Sequence, residues 1–142
     1  MQLPSRQAKR QIGQLDGTYW MYQRKDLTNA FQAGGPDAWS RVLEFHGDVS
    51  PASPMRVVES TRAHHPSNGD DLFSVKHYNA VGGPLIDPQP PVRQSNVPVM
   101  EVMDFDLVNH ELTLKNGDGP IVLWQAENTG GFIRKIEVLT HY

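Results

Sequence analysis

The sequence predicts an all-β fold: a single antiparallel up-and-down barrel of about eight strands, preceded by a short amino-terminal helix or tail over residues 1–14. Two observations predict it. Val97 to Tyr142 reads as four consecutive strands joined by turn-forming residues with almost no slack. Upstream, further short apolar runs are spaced closely and no helical segments alternate with them.

Taken in order, Pro4 to Gln14 carries good helix formers, and Ser5 is placed to cap a short helix. Leu15 to Asp26 reads as the first strand, and Ala33-Gly34-Gly35-Pro36-Asp37 then breaks the chain. A second strand is expected from Trp39 to His46, followed by a Pro-rich turn through Ser50 to Pro54. Met55 to His65 and Asp71 to Ala80 form a long hairpin around Asn68-Gly69, a pair that favours the positive φ of a tight turn. Val81 to Pro98 holds Pro84, Pro88, Pro90, Pro91 and Pro98, so it is neither a helix nor a central strand. This segment reads either as a lid over one end of the barrel or as a rigid crossover between two strands.

Register carries the rest, because a slip of one residue turns every side chain to the other face. A two-residue turn at Asn109-His110 sets Leu107 opposite Leu112 and Phe105 opposite Leu114. Turning at Asn116 to Gly119 sets Leu112 against Leu123 and Leu114 against Ile121, and turning at Thr129-Gly130 sets Leu123 against Ile136 and Ile121 against Val138. All three turns converge on one continuous apolar face. The other face carries Asp104, Asp106, Glu111, Lys115, Lys135, Glu137 and Trp124, with Trp124 facing Lys135. Extended outward, the register puts Glu101, Met103, Thr140 and Tyr142 inside at one end, and Gln125, Glu127 and Arg134 inside at the other, with Gln125 opposite Arg134.

At 142 residues the chain is expected to be one domain, 1–142, large enough to bury a core. Its net charge of -3, with no basic run beyond Arg6 to Arg10, argues against nucleic acid as a partner. With no cysteine there are no disulfides, thiolate metal sites or Cys nucleophiles, which is compatible with a reducing cytoplasm. Met1 to Gln14 lacks the apolar segment of a signal peptide, and no stretch approaches the ~18 apolar residues of a membrane span. The expectation is a soluble cytoplasmic protein with no membrane partner.

The six histidines do not make a metal site. His64 and His65 are adjacent on a strand and point to opposite faces, and neither HxH nor HExxH occurs. No glycine-rich phosphate loop and no GxSxG elbow is present, and no cofactor is expected.

Leu15-Asp16-Gly17-Thr18-Tyr19-Trp20 resembles the opening signature of lipocalins and the wider calycin group, in which a glycine, a spacer and a tryptophan begin the first strand. Gly17 fits, and Arg134 on the last strand is placed to supply the basic side chain that packs over the aromatic ring in that family. The departure is that Tyr19 occupies the tryptophan position, while Trp20 falls one residue on and is expected on the other face. The resemblance implies a cavity for a small hydrophobic molecule. It also admits small cofactor-independent enzymes, since some bacterial and fungal relatives are cyclases, isomerases or decarboxylases.

Candidate acid–base residues follow from which polar groups can share a cavity. Glu101 is a carboxylate on the predicted inner face, and a buried carboxylate needs a partner or a raised pKa. On the long hairpin Glu59 and Tyr78 share a face, as a hydrogen-bonded pair suited to proton transfer, with Lys76 diagonally placed to neutralise Glu59. His77, on the opposite face of that hairpin, is a candidate general base. Tyr19, Phe105, Leu114, Leu123, Gln125, Arg134 and Tyr142 are the candidate ligand-binding residues. The leading reading is a small-molecule binding protein and the alternative an enzyme of the same shape. A barrel filled by its own side chains and acting as an interaction module is the third, and a homodimer stays open.

Overall fold

In the computed structural model, which describes residues 10–22, 41–47, 55–64, 71–87, 96–117, 119–130 and 132–136, eight strands lie in the sheet in chain order. They are β1 (Tyr19–Tyr22), β2 (Arg41–His46), β3 (Met55–His64), β4 (Asp71–Gly82), β5 (Val99–Asp106), β6 (Glu111–Asn116), β7 (Gly119–Thr129) and β8 (Phe132–Lys135). β1 returns to pair with β7, Tyr22 opposite Leu123, which closes seven strands into a barrel and leaves β8 as an extra strand on the end of β7. The expected all-β barrel is therefore present, with seven strands in its wall rather than eight.

One pairing departs from the antiparallel expectation: β4 and β5 run parallel, Asn79 opposite Val99 and Gly82 opposite Val102. A parallel neighbour needs a long connection to bring the chain back to the same end of the sheet, and the Pro-rich segment supplies it. Its stretch Gly83 to Asp87 bridges to the amino-terminal segment at Arg10 and Ile86. A lid role for residues 88–95 concerns residues outside the described ones.

At the start of the chain, the expected helix falls largely outside the described residues; what is described is a 3-10 turn at Ile12–Leu15. Leu15 belongs to that turn and not to a strand, which begins only at Tyr19. Gly17, at φ +79, makes the corner between them, donating its N–H to the Phe45 carbonyl at 2.8 Å. Beyond it Trp20, not Tyr19, turns inward, correcting the expected orientation: Trp20 is fully buried and Tyr19 lies half-buried on the outer side with Met21, Val42, Ala126 and Ile133. The indole N–H donates to the Thr18 hydroxyl at 2.7 Å, and that hydroxyl donates to the Leu15 carbonyl at 2.6 Å, so the buried ring leaves no polar group unpaired.

The β6–β7 register is the expected one, Leu112 opposite Leu123 and Leu114 opposite Ile121. Two other turns differ by two residues. β5 meets β6 at Asp106 and Glu111, because Asp106 caps a four-residue turn by accepting the N–H groups of Val108 and Asn109 at 2.9 and 3.0 Å. β8 meets β7 through Thr129 and Phe132, with Gly130 at φ +59, so Arg134 lies opposite Glu127 and not Gln125. An even shift preserves the faces, so Phe105, Leu112, Leu114 and Leu123 are still buried together.

The face does change on β5. The ladder is irregular between Val102 and Asp104, a bulge that leaves Met103 unpaired and reverses the alternation upstream. Val102 and Met100 take the interior positions expected for Met103 and Glu101.

Inside, the lower part of the barrel is solid. Trp20, Leu43, Phe45, Val57, Val102, Leu112 and Leu123 are almost wholly buried, and Ile12, Leu15 and Ile86 pack against them from below. Gly82 permits that plug: a Cβ there would lie 2.6 Å from the Ile86 side chain.

Candidate functional site

The strand ends opposite the plug behave differently. Antiparallel pairing puts the end of β1 beside the start of β2 and the end of β6 beside the start of β7. Together with the start of β5 they surround a partly open cavity of about 180 Å³. Tyr22, Met100, Leu114 and Ile121 supply its apolar wall, Arg41 and Tyr78 its polar side, and Val99, Glu101 and Lys115 complete the lining.

Directly beside this cavity sits the one charged residue buried among those described, Glu59, 6% exposed. It is charge-paired. Arg41 reaches its Oε2 with both Nη2, at 2.7 Å, and Nε, at 2.9 Å, and the Tyr78 hydroxyl donates to Oε1 at 3.3 Å. Both β3 and β4 place these groups by register: Leu43 opposite Glu59 and Val57 opposite Tyr78 put the carboxylate and the phenol on the core side. The Arg41 guanidinium lies 4.1 Å from the centre of the Tyr22 ring. Its partial burial pulls its pKa down, but the charges of Tyr22 and Glu59 and the hydrogen bond to Glu59 outweigh that and hold it above the usual arginine value.

The expected Glu59–Tyr78 pair is thus present on the inner side of the hairpin, while the cation that neutralises Glu59 is Arg41 rather than Lys76. Lys76 lies directly opposite Glu59 in the ladder and its ammonium sits 5.1 Å from the Tyr78 ring centre. Arg41 lies inside the strand expected from Trp39 to His46 with nothing to single it out, and nothing in one sequence tells that β2 pairs with β3 through Arg41 and Thr61.

The remaining candidates are dispersed. Phe105 and Leu123 are buried in the solid core, and Leu114 spans core and cavity wall. Glu101 lines the cavity although the bulge takes it off the interior row. His77 is exposed on the outer face of β4. Gln125 Oε1 accepts from the His110 Nδ1–H, 2.8 Å away, and so ties β7 to the β5–β6 turn. Arg134 is exposed on β8, and Tyr142 lies outside the described residues.

A second bonded group lies outside the barrel. Tyr19 donates to Glu44 Oε1 at 2.8 Å, and His46 Nε2 meets the same oxygen at 3.0 Å. The Tyr19 pKa stands above its usual value: a hydrogen bond with Asn128 pulls it down, but the bond to Glu44, burial and the Glu44 charge together prevail. Lys135, expected opposite Trp124, pairs in the ladder with Ala126, yet its ammonium still lies 3.7 Å from the Trp124 ring centre.

Among the described residues no three His, Asp or Glu side chains converge as a metal site would require, and no helix is long and apolar enough to cross a membrane. Comparison with family models, with curated proteins and with solved structures found no match to this chain.

Proposed function

We propose that this chain is a lipocalin-like barrel that binds a small, largely apolar molecule in the cavity at its open end. The single observation that supports this reading is a cavity of about 180 Å³, walled by Met100, Leu114 and Ile121 and edged by Arg41 and Tyr78. An apolar wall with a few fixed polar groups is the usual composition of a small-molecule site, and this volume, below the common ~300–1,000 Å³, calls for a small ligand.

A thermal-shift screen against small apolar metabolites tests this directly. A true ligand at about 100 times its dissociation constant adds ~2.7 kcal/mol of stability. Leu114→Trp, which fills the cavity from its wall, should abolish the shift for the same compound. A ligand that stabilises Leu114→Trp as strongly as the natural chain binds elsewhere and sinks the proposal.

Acid–base catalysis in the same cavity is the second reading, and a specific observation favours it: Arg41, Glu59 and Tyr78 are bonded to one another at the cavity edge. Such an arrangement fixes a phenolic proton donor next to a buried carboxylate and a permanent cation, as isomerisation or cyclisation of a small substrate requires. A cytoplasmic location remains part of this proposal, since metabolites of that size are met there.

A further inference from the structure

Arg41 meets Glu59 with only one side of its guanidinium. It faces Thr61 in the ladder, and Glu59 lies on the same face of β3 two residues deeper, so the side chain turns down the barrel to reach it. Nε and Nη2 share the edge that bonds Glu59 Oε2, at 2.9 and 2.7 Å, and the Tyr22 ring centre lies 4.1 Å from the central carbon. Nη1 and the second hydrogen of Nη2 make the other edge, a fork of two parallel donors. No described residue accepts from Nη1. Since Arg41 lines the cavity with its side chain 34% exposed, that edge is the part of it a ligand can meet.

Glu59 already balances the charge of Arg41, so a second anion at this fork calls for a second cation. Lys115 supplies it: it lines the same cavity, is exposed, and makes no ion pair among the described residues. The other acid of the lining leans away. Glu101 faces Val81 in the ladder, yet its Oε2 stands 3.5 Å from where a Gly83 Cβ would lie, two residues nearer the plugged end.

We infer that the ligand of this cavity is a small monocarboxylic acid in its ionised form. Its carboxylate is taken end-on by Nη1 and Nη2 of Arg41 under the charge of Lys115, and its apolar body lies against Met100, Leu114 and Ile121. The inference rests on the binding reading above and names the ligand class. A carboxylate is planar and offers two acceptors at the spacing of the fork, so it makes both bonds. An alcohol or ketone offers one oxygen, and an amide sets its own N–H against one of the donors. Glu59 and Tyr22 hold the guanidinium before the ligand arrives, which leaves little rotamer entropy to lose. An apolar cavity of roughly 150 Å³ holds one benzene, so about 180 Å³ takes an apolar body of about six carbons with its charged end at the open side.

Calorimetric titration of the natural chain with cyclohexanecarboxylate and hexanoate, each against its matched amide, tests this. Each acid should bind at least about tenfold tighter than its amide, the size of one charge-assisted bond. Leu114→Trp should abolish the binding of both. Arg41→Lys keeps a charge for Glu59 but has no fork, and should weaken the acids about tenfold while weakening the amides less. Lys115→Gln, at the exposed rim, should weaken the acids about two- to fivefold and lessen their salt dependence. Acids and amides bound equally, and both lost in Leu114→Trp, overturn the carboxylate and keep the cavity. An acid affinity that neither Arg41→Lys nor Lys115→Gln lowers does the same. Acids bound as tightly by Leu114→Trp as by the natural chain overturn the carboxylate and the cavity together. No binding of any probe at millimolar concentration overturns the carboxylate, and the wider thermal-shift screen then decides the cavity by itself.

Discussion

Arg41 grips Glu59 through a single carboxylate oxygen: Nη2 and Nε both converge on Oε2, at 2.7 and 2.9 Å, and leave Oε1 to the Tyr78 hydroxyl. Glu59 is nearly out of water, with its side chain 7% exposed, whereas that of Arg41 keeps 34% exposure at the cavity edge. The pair is therefore asymmetric. Removing the cation strands a buried charge, while removing the carboxylate returns a half-exposed guanidinium to solvent.

That asymmetry predicts the order of two destabilisations. Arg41→Met should cost about 2–4 kcal/mol, near the lower end of what breaking a buried pair costs because water reaches one partner. Glu59→Gln should cost less, about 1–2 kcal/mol, since the amide oxygen can still accept from Arg41 while its NH2 can donate to the Tyr78 hydroxyl oxygen. Joining Arg41→Met to Glu59→Leu should recover most of the loss. Urea unfolding of these chains and of Glu59→Leu alone checks this, and a double variant as unstable as the sum of Arg41→Met and Glu59→Leu would refute it.

For the chemistry, Tyr78→Phe is the decisive variant. It removes one hydroxyl while Val57 and Lys76 still hold the ring in place, so stability should fall by no more than ~1.5 kcal/mol. If the phenol transfers a proton, turnover of any substrate found should drop about 10²- to 10⁴-fold with binding retained. Glu101→Gln asks the same of the acid on the cavity lip. Unchanged turnover in both removes the proposed acid and base and leaves carriage.

The sequence made the barrel legible where local chemistry fixes register and hid it where distant pairing does. Leu112 and Leu114 were paired correctly with Leu123 and Ile121 because Asn116 to Gly119 allows one tight turn. Two other registers shift by two residues, at β5–β6 because the turn is longer and at β7–β8 because it sits one residue further on, and an even shift leaves inward residues inward. The bulge at Met103 was not legible, since nothing in Val102-Met103-Asp104 marks a missing partner, and it moved Glu101 off the inner row. Of the site, Glu59 and Tyr78 could be read from one hairpin. Arg41 could not, because it arrives from a strand whose pairing with β3 is invisible to local pattern. The parallel β4–β5 pair escaped for the same reason, although the prolines that make it possible were plain.

Gly82 should tolerate no side chain. The Cβ of Gly82→Ala would fall 2.6 Å from both Cβ and Cγ2 of Ile86, which is itself 3% exposed and packed under the barrel floor. Overpacking of this kind costs about 1–3 kcal/mol. Adding Ile86→Ala removes the clash, so the double variant should lose less than the sum of the two single changes. Thermal unfolding of the three variants measures the coupling, and strict additivity would show that the two residues do not meet.

Asp106 gives the fold a defined response to acid. The Asn109 backbone N–H first, then the Asn109 side-chain amide, with Val108 N–H and Arg10 adding to them, hold its pKa below the ordinary aspartate value. A carboxylate whose folded pKa is depressed stabilises the fold above its unfolded pKa of ~3.9, and that contribution is lost as pH falls through the folded value. The β5–β6 turn should then loosen selectively in acid: amide exchange at Val108 and Asn109 should accelerate as pH is lowered through that window, after correction for the intrinsic rate. Asp106→Asn should exchange faster at neutral pH and lose the acid dependence. Equal pH profiles in the natural chain and the variant would show that the turn does not depend on the ionised carboxylate.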